Sequence, residues 1–368
     1  MHVITRTAVV VATAAVTVLA SGATPAPSPS SGTVRCGATL TRSTTLTRDL
    51  VCRTADVGLR LAEGVVLDLG GHSLVGPGKG YGTAVTGGYT PTVRNGTIRG
   101  WNTGVMSEEA DGGGAVSHVL VTDTRLAIGS SIGGTATVES STLRGNDYGI
   151  TTFQSTARVT DSVLRDNGTA VVVGSDYTSV SVQGSTLRGN DIAVDCQGGS
   201  ASVERTRLVE NGTGVRVDVW ECGATVSDST VARNEVGVSS TALELGGMNW
   251  GPVLERNVFR DNTVAVDTQS SAVVRDNDFR GNATALRSRT TTGTELVAVI
   301  EVTGNDVRRN GDGVVITGLS QIGSNTVVRN TGVGISAPGA TDLGGNVAWG
   351  NGVEPQCVGV VCAGRPGV

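Results

Sequence analysis

Aromatic side chains are scarce in this chain of 368 residues: they make up 3% of it and include three phenylalanines. Aromatic residues bury the most apolar area each, so their scarcity argues against a conventional globular core or a β-sandwich. Lysine is scarcer still, since Lys79 is the only one and nearly all positive charge is arginine. The net charge of −5 provides no basic field of the kind that binds nucleic acid, so we expect no nucleic-acid partner.

Apolar runs long enough to cross a membrane are also missing, and we expect no membrane span. The run Ala8–Ala20 is too short, but it follows Arg6 and precedes the small residues 21–23. This order is typical of a secretory signal peptide, which we place at 1–23. Residues 24–35 are rich in Ser and Pro and are predicted to form a linker. These features predict a secreted, extracellular protein.

The six cysteines are an even number, which fits disulfides formed in an oxidising compartment. Their clustering along the chain favours the pairs Cys36–Cys52, Cys196–Cys222 and Cys357–Cys362, although other connectivities remain open at this point. A metal site at Cys357 and Cys362 is disfavoured, because neither a histidine nor a second cysteine pair lies near them in sequence.

Glycine, by contrast, is abundant, with 54 residues, and many of them lie in an internal repeat of roughly 23 residues. Copies such as STLRGNDYGI, STLRGNDIAV and NVFRDNTVAV share one asparagine, which we take as the zero position of each copy. This position is occupied by Asn146, Asn167, Asn190, Asn211, Asn234, Asn262, Asn282, Asn310, Asn330 and Asn351. A repeat of this length indicates a stack of similar coils.

Three apolar columns accompany the repeat. Eight residues before zero stands an aliphatic residue, from Val138 to Leu343, and three before zero stands Leu, Val or Phe, beginning with Leu143. Four after zero stands another aliphatic residue, beginning with Ile150. Three short apolar positions per copy predict three short strands per coil, and therefore a triangular tube.

The predicted fold is all-β: a single-stranded right-handed parallel β-helix solenoid of about thirteen coils with capped ends. We place the coils at 64–352, an N-terminal cap at 36–63 and a C-terminal tail at 353–368. A leucine-rich repeat has a similar period but requires more leucines per copy and usually a helical return segment.

Counting backward from the clear copies extends the repeat toward the N-terminus. It predicts that Asp123 and Trp101 stand at zero, with Leu120 and Ile98 three residues before them.

A fourth column, five residues before zero, changes from Ser and Thr to Asn along the chain. It consists of Ser141, Ser162, Ser185, Thr206, Ser229, Asn257, Asn277, Asn305, Asn325 and Asn346. Because it shares strand parity with the leucine column, these side chains are expected to point inward and to hydrogen-bond along the axis as a ladder. The backward count places His118 in the same inward column.

The pattern N-x-(V/F)-R-x-N-x-x-(G/A)-V and the segment VVLDLGGHSLVGPG resemble the right-handed parallel β-helix repeat proteins of the pectate-lyase-like superfamily, of the secreted bacterial type. The resemblance covers roughly residues 59–351. It implies the fold, and it implies a carbohydrate-related role only broadly, because the superfamily includes polysaccharide lyases, hydrolases, epimerases and non-catalytic surface proteins. The Gly-His-Gly element of polygalacturonase-like hydrolases is missing, since His72 stands in Gly-Gly-His-Ser, and the Asp-Pro-His-Asp signature of mannuronan epimerases is missing too. Calcium-binding aspartates of the pectate-lyase type have no local motif and stay open.

Two aspartates form the candidate catalytic site. Asp278 and Asp306 both lie four residues before zero, in successive copies, and are predicted to face outward about 5 Å apart. Carboxylates at that distance serve retaining glycosidases, and with Asp276 nearby they could instead bind Ca²⁺. Arg280 and Arg308 lie two residues further on the same faces. The alternative is therefore a solvated surface of Asp–Arg ion pairs.

Two copies are longer than the others, and the surplus is predicted to form loops at 240–252 and 288–297 that wall a groove over Asp278 and Asp306. Trp250 in the first loop is a candidate platform for a sugar ring, and Arg280 and Arg308 are candidate substrate-binding residues for an acidic polysaccharide.

These features favour a protein that binds an extracellular polysaccharide or cell-wall glycan, either without catalysis or with a cryptic site. The alternative is a carbohydrate-active enzyme, a polysaccharide lyase, glycoside hydrolase or epimerase, that acts on an acidic polysaccharide. No cofactor is expected apart from Ca²⁺, and the oligomeric state is left open.

Overall fold

The computed structural model describes residues 34–218, 222–241, 251–289, 299–365 and 367. Within these ranges the chain is all-β without a helix, and its strands stack into a parallel β-helix of about 13 turns. The predicted right-handed parallel β-helix is thereby confirmed. The described residues include no helix that is long and apolar enough to cross a membrane. The predicted signal peptide and nearly all of the linker lie outside the described residues.

Each coil contributes strands to three parallel sheets, named A, B and C in the order in which a repeat visits them. Sheet A contains Thr44–Thr45, Val66–Asp68, Thr135–Glu139, Thr156–Thr160, Ser179–Gln183, Gly199–Glu204, Cys222–Ser227, Val253–Glu255, Ala272–Arg275, Ile300–Thr303, Ser320–Gly323 and Thr341–Gly344. Two long strands, Thr92–Val105 and Ala115–Ser130, run through all three sheets and pair with each other along their length.

The strands of the other two sheets follow the same order. Sheet B contains Leu50–Val51, Ser73–Val75, Thr142–Arg144, Val163–Arg165, Thr186–Arg188, Arg207–Val209, Thr230–Ala232, Val258–Arg260, Asp278–Arg280, Asp306–Arg308, Thr326–Val328, Asn346–Trp349 and Cys362–Ala363. Sheet C contains Ala38–Leu40, Val57–Leu61, Thr83–Gly87, Tyr148–Thr152, Thr169–Val173, Ile192–Cys196, Thr213–Val217, Val236–Ser240, Val264–Thr268, Thr284–Arg289, Asp312–Thr317, Ile335–Ser336 and Cys357–Val358.

The core consists of the three predicted apolar columns. Val138, Leu143 and Ile150 of one coil are fully buried, and in-register pairing stacks like on like along the axis. Phe259 and Phe279 take the place of leucine in the middle column, with parallel rings whose centroids are 4.7 Å apart. This stacking lets small aliphatic side chains fill a narrow interior without the large aromatic residues that a globular core uses.

One member of the first column departs from the prediction. Leu343 is 53% exposed, because the pairing of sheet A becomes irregular there and Ile322 pairs with Asp342 instead. The irregularity turns Leu343 outward, since a shift of one residue moves a side chain to the other face of a strand.

The first two corners of each coil are single residues in the left-handed conformation. The corner between sheets A and B lies six residues before zero, as at Asp161 with φ 48°, and the corner between B and C lies one before zero, as at Asp166 with φ 56°. Glycine occupies many of these positions, as at Gly184 and Gly189, because it adopts this conformation without the strain that a Cβ brings.

The backward count is wrong by one residue in the coil 115–130. His118 and Asp123 occupy its two left-handed corners, so that Thr124 stands at zero and Val121 lies in the apolar column, in register with Leu143. His118 is therefore exposed and is not a member of the inward ladder. The error arose because threonine replaces the asparagine that marks zero elsewhere.

The preceding coil agrees with the count. Trp101 stands at zero opposite Thr124, and Ile98 pairs with Val121. Trp101 is fully buried, and its indole Nε1 donates to the carbonyl oxygen of Leu74 at 3.3 Å.

Two polar ladders run through the interior, one more than the sequence indicated. The zero-position asparagines are buried: the backbone N–H and the Nδ2 of Asn146 both donate to Oδ1 of Asn167, at 3.0 and 3.1 Å. The same pattern continues to Asn351, where Gln356 Oε1 accepts both bonds at 2.9 and 2.8 Å and ends the ladder. The predicted Ser-to-Asn column forms the second ladder. Both satisfy backbone groups that the tight corners would leave unpaired.

Parallel pairing extends beyond the predicted coils at both ends. Within the segment 36–63, expected to be a cap, the strands Ala38–Leu40, Thr44–Thr45 and Leu50–Val51 pair with the coil that follows. In the tail 353–368, two short strands continue sheets C and B.

The structure contains the disulfides Cys36–Cys52, Cys196–Cys222 and Cys357–Cys362, the pairings that the clustering favoured. Their Cα atoms are 5.6, 5.9 and 6.2 Å apart. All six cysteines belong to the described ranges, and none of them is free. The Cys196–Cys222 bridge lies fully inside the tube, whereas the other two lie in its first and last coils. This placement fixes both ends of the stack, which lack a neighbouring coil on one side.

Candidate functional site

The candidate catalytic aspartates lie on sheet B. Asp278 pairs in register with Asp306, and Arg280 with Arg308, so the predicted adjacency holds in the structure. Arg280 Nε donates to Asp278 Oδ1 at 2.8 Å, and a second bond joins Arg280 Nη2 to Asp278 Oδ2. Arg308 Nε donates to Asp306 Oδ1 at 2.7 Å. Each carboxylate thus has its own guanidinium, which is the arrangement that the ion-pair alternative expects.

This pairing affects what the aspartates can do chemically. The hydrogen bonds that Arg280 donates to Asp278 raise the pKa of Arg280, with a further contribution from the carboxylate charge. Both carboxylate oxygens of Asp278 are already bound by this guanidinium within the protein. Among the residues that the structure describes, which include Asp276, no group of three or more His, Cys, Asp or Glu is placed to hold a metal ion. The geometry therefore adds no support for catalysis or for Ca²⁺ binding on sheet B.

The two long insertions lie at a different corner. Ser240 ends a strand of sheet C and Val253 begins a strand of sheet A, and the same holds for Arg289 and Ile300. The described ends of both insertions therefore lie between sheets C and A, whereas Asp278 and Asp306 lie on sheet B. Residues 242–250, with Trp250, and 290–298 lie outside the described residues, as does Trp220.

A groove of about 480 Å³ lies on sheet A between the anchors of the two insertions. Its floor is one outward column in register, Val253, Val273, Glu301 and Gln321. The hydroxyl of Thr303 donates to Glu301 Oε1 at 3.2 Å, which orients that carboxylate. The groove thus combines an apolar floor with one carboxylate and one amide, a combination usual in small-ligand sites.

Toward the N-terminus the outer face of sheet A consists mostly of hydroxyl side chains. They are Thr135, Thr137, Thr156, Ser179, Ser181, Ser200, Ser202 and Thr225, each exposed or half-buried. Arg158 lies among them, and Glu139, Gln183 and Glu204 stand at the ends of their strands on the same face. Thr135, Thr156, Ser179 and Ser200 stand directly above one another, and the hydroxyls of Thr135 and Thr156 are 2.7 Å apart. The result is a hydrogen-bonding surface of mostly uncharged side chains.

Exposed apolar side chains border this surface on the corner between sheets C and A. Tyr89 is 50% exposed, Ile132 50%, Phe153 51% and Tyr177 89%. Hydrogen bonds connect the three successive corners that carry Ile132, Phe153 and Tyr177. Gly133 N–H donates to the carbonyl oxygen of Gln154, and Gln154 N–H donates to Ser175 Oγ. We name Tyr89, Ile132, Phe153 and Tyr177 the corner ridge.

The corner ridge was not identified from the sequence. These residues lie in corners of different length, so their distances from the zero asparagine vary and they form no column in the repeat. The available signal was the concentration of the few aromatic residues in the non-strand segments of the N-terminal half.

The ridge and the hydroxyl face together are suited to a chain that is apolar on one side and polar on another. Tyr and Phe bind such a ligand through an apolar ring face, and Ser and Thr donate and accept hydrogen bonds at its edge. A pyranose ring has this character, with C–H faces and hydroxyl edges.

Neither a protein-family model nor a curated protein matches this sequence. Among solved structures, the chain is similar to an alginate lyase from Paenibacillus sp., at 13% identity and a TM-score of 0.36, over 71% of this chain and 90% of that one. It is also similar to a periplasmic alginate epimerase, at 10% identity and a TM-score of 0.41, over 84% and 79%. The A-module of an Azotobacter vinelandii mannuronan C-5 epimerase matches at 17% identity and a TM-score of 0.25, over 89% and 91%. These values carry no argument about activity.

Proposed function

We propose that this protein is a secreted, non-catalytic β-helix that binds an extracellular polysaccharide or cell-wall glycan along sheet A. The observation that carries the proposal is the corner ridge, whose apolar side chains stay exposed beside a hydroxyl face. Exposed apolar side chains aligned on a soluble protein mark interaction sites more often than chance exposure does. The three disulfides support an oxidising, extracytoplasmic location.

The length of the surface supports a polymer rather than a small sugar. Phe153 and Tyr177 belong to successive coils, and coils repeat about every 4.8 Å along the axis. The same sheet continues from the hydroxyl face to the groove at Val253 and Glu301. An extended chain lying along the axis would therefore meet the ridge, the hydroxyls and the groove in turn.

The chemistry of this face favours binding over catalysis. The described lining of the groove contains a single carboxylate, Glu301. Glycoside hydrolysis ordinarily uses a pair of carboxylates, one as acid and one as base or nucleophile. The other candidate pair, Asp278 and Asp306, lies on sheet B and is bound to arginines.

Retention on insoluble or immobilised polysaccharides tests the proposal. Cellulose, chitin, pectate, alginate and hyaluronan are offered to the full chain and to the double variant Phe153→Ser/Tyr177→Ser. We expect the variant to bind its polymer about tenfold more weakly or worse, since buried aromatic contacts dominate such interfaces. Tyr148→Ser is the matched control, because Tyr148 is 40% exposed but lies on sheet C.

The outcomes separate the possibilities. Equal binding by the double variant, or an equal loss in Tyr148→Ser, would remove the ridge from the proposal. Release of new reducing ends or unsaturated products, with or without Ca²⁺, would show that the protein is an enzyme and not a non-catalytic binding protein. If products appear, Asp278→Asn and Asp306→Asn decide whether those carboxylates take part. Trp250→Ala tests whether the first insertion contributes to the groove.

A further inference from the structure

The corner between sheets B and C reverses its charge along the tube. In the N-terminal half the side chains one residue either side of zero are mostly acidic: Asp147, Asp166, Asp191, Glu210 and Glu235. In the C-terminal half this corner carries Arg309 and Arg329, beside Arg260, Arg280 and Arg308 on the strands of sheet B. We name these five arginines, with Arg365 of the tail, the basic strip. A chain of net charge −5 thus concentrates positive charge on one surface.

A cavity of about 550 Å³ lies within the basic strip. Arg260, Arg280 and Arg309 line it together with Val258, Gly281 and one acidic residue, Asp261. Three guanidinium groups therefore surround the space against one carboxylate. The cavity is open to solvent, as expected where a linear ligand would pass across and not be enclosed.

Part of this charge is not neutralised by the protein. Asp278 and Asp306 bind Arg280 and Arg308, and Arg260 lies 3.8 Å from Asp261. In the described part of the chain, Arg309, Arg329 and Arg365 have no carboxylate partner within ion-pair distance. On the same sheet in the N-terminal half, Arg144 and Arg165 both lie within ion-pair distance of Asp166.

Two of the three unpaired arginines, Arg329 and Arg365, also contact an aromatic ring. The guanidinium of Arg329 lies over the ring of Trp349, 4.9 Å from its centroid, and that of Arg365 lies 5.5 Å from the same centroid. Stacking on an aromatic ring leaves the N–H groups at the edge of a guanidinium free to bind an anion. Arg309 and Arg329 occupy successive corners, about 4.8 Å apart along the axis.

We infer that the basic strip is a second binding site, for an acidic polysaccharide whose carboxylate or sulfate groups pair with Arg309, Arg329 and the arginines around the cavity. Guanidinium groups form two parallel hydrogen bonds with such anions. A linear polyanion fits better than a single small ion, because the free charges follow the axis over several coils. The strip lies on sheet B and its corner with C, so it is independent of the corner ridge beside sheet A.

Binding to soluble polyanions tests the inference by itself. Heparin supplies sulfates, polygalacturonate supplies carboxylates, and dextran supplies an uncharged polymer. We expect one or both polyanions to bind, dextran not to bind here, and affinity to fall steeply between about 50 and 500 mM salt because the contacts are exposed charges. Whichever of heparin and polygalacturonate binds more tightly shows whether sulfate or carboxylate is the preferred anion.

Matched variants locate the site. Arg309→Gln/Arg329→Gln removes two charges from the basic strip, and Arg144→Gln/Arg165→Gln removes two from the acidic half of the same sheet. We expect about a tenfold loss of polyanion binding in the first and less than about a twofold change in the second. Equal thermal unfolding of the two variants checks that both are folded.

Three results would overturn the inference. They are no retention of either polyanion at low salt, equal losses in the two double variants, and equally tight binding of duplex DNA, which would indicate a general polyanion surface. Phe153→Ser/Tyr177→Ser is predicted to bind polyanions normally, so failure of the glycan face and failure of the basic strip are distinguishable.

Discussion

The two halves of the tube hold the corner between sheets A and B with different side chains. In the N-terminal half Ser185 Oγ accepts from Ser162 N–H at 3.1 Å and donates to the carbonyl oxygen of Gln183 in its own coil. In the C-terminal half Asn277 Nδ2 donates both to Asn305 Oδ1 of the next coil and to the carbonyl oxygen of Leu254 in the previous one. An asparagine therefore links three coils, whereas a serine links two.

The difference continues on the surface. The serine half carries the corner ridge and the hydroxyl face, and the asparagine half carries the groove, both long insertions and the basic strip. Asparagine ladders stabilise the coils from which the insertions emerge, where loops interrupt the regular stack. A solenoid depends on contacts between neighbouring coils, so local reinforcement of this kind permits local elaboration.

Breaking each ladder at one coil gives the largest expected effect. Asn277→Ala leaves the N–H and Nδ2 of Asn257 without their acceptor and is expected to lower the free energy of unfolding by about 2 to 4 kcal/mol. Ser185→Ala leaves only Ser162 N–H without its acceptor, and the free energy of unfolding is expected to fall by about 1 kcal/mol. Urea unfolding followed by circular dichroism measures both. Equal losses would mean that the two ladders contribute alike.

The stacked phenylalanines provide a second contrast, because the serine half has leucine at their position. Phe279→Leu keeps an apolar side chain but removes the ring stacked on Phe259. We expect a loss of about 1 to 2 kcal/mol in the free energy of unfolding, from the lost aromatic contact and imperfect refilling of the space. The same unfolding measurement checks it, and Leu187→Met in the serine half is the volume-conserving control.

Extending the asparagine ladder by one coil should stabilise the protein slightly. Ser229 N–H already donates to Asn257 Oδ1 at 3.0 Å, so Ser229→Asn adds a side-chain donor aligned with the existing ladder. We expect a gain of about 0.5 to 1 kcal/mol, equal to one hydrogen bond. A destabilised variant would show that the serine coils are too closely spaced for the larger side chain.

The smallest effect concerns an exposed ion pair of the acidic corner. Hydrogen bonds from Arg233 and Arg188 lower the pKa of Glu210. A lowered pKa in the folded state means that the contribution to stability is present above the unfolded pKa and is lost as pH falls through the folded value. Glu210→Gln should therefore show a slightly smaller decrease in Tm below about pH 4 than the parent. Glu235→Gln, whose side chain has no ion pair in the described ranges, is the control.

The regular part of the fold was predictable because stacking imposes a constant spacing on it. In every coil the residues eight and three before zero, such as Val138 and Leu143, must align with their counterparts in the neighbouring coils. The apolar columns are therefore visible in the sequence. The prediction failed where the marker changes, at Thr124, and where pairing becomes irregular, at Leu343. In both places the sequence lacks the asparagine or the alternation that fixes the register.

The surface was less predictable, because the third corner varies in length from coil to coil. Tyr89, Phe153 and Tyr177 come to the same edge of the tube only because the sheets on either side bring corners of different length over one another. Likewise, the length of the insertions could be counted in the sequence, but the corner at which they are anchored could not be, and their course over Asp278 and Asp306 stays a prediction because residues 242–250 and 290–298 lie outside the described residues. The adjacency of Asp278 and Asp306 was predicted, yet whether their arginines bind them depends on side-chain directions that spacing does not specify.

The sequence alone determined the architecture, because a tube of stacked coils repeats one hydrogen-bonding and packing solution, and that repetition is written along the chain. Only the tertiary structure decided the surfaces: which corner exposes its aromatic residues, between which sheets the ends of the insertions lie and which described arginines are left without a carboxylate. Inward positions are constrained by the coil above and below, whereas outward positions acquire their neighbours from coils that are distant in sequence.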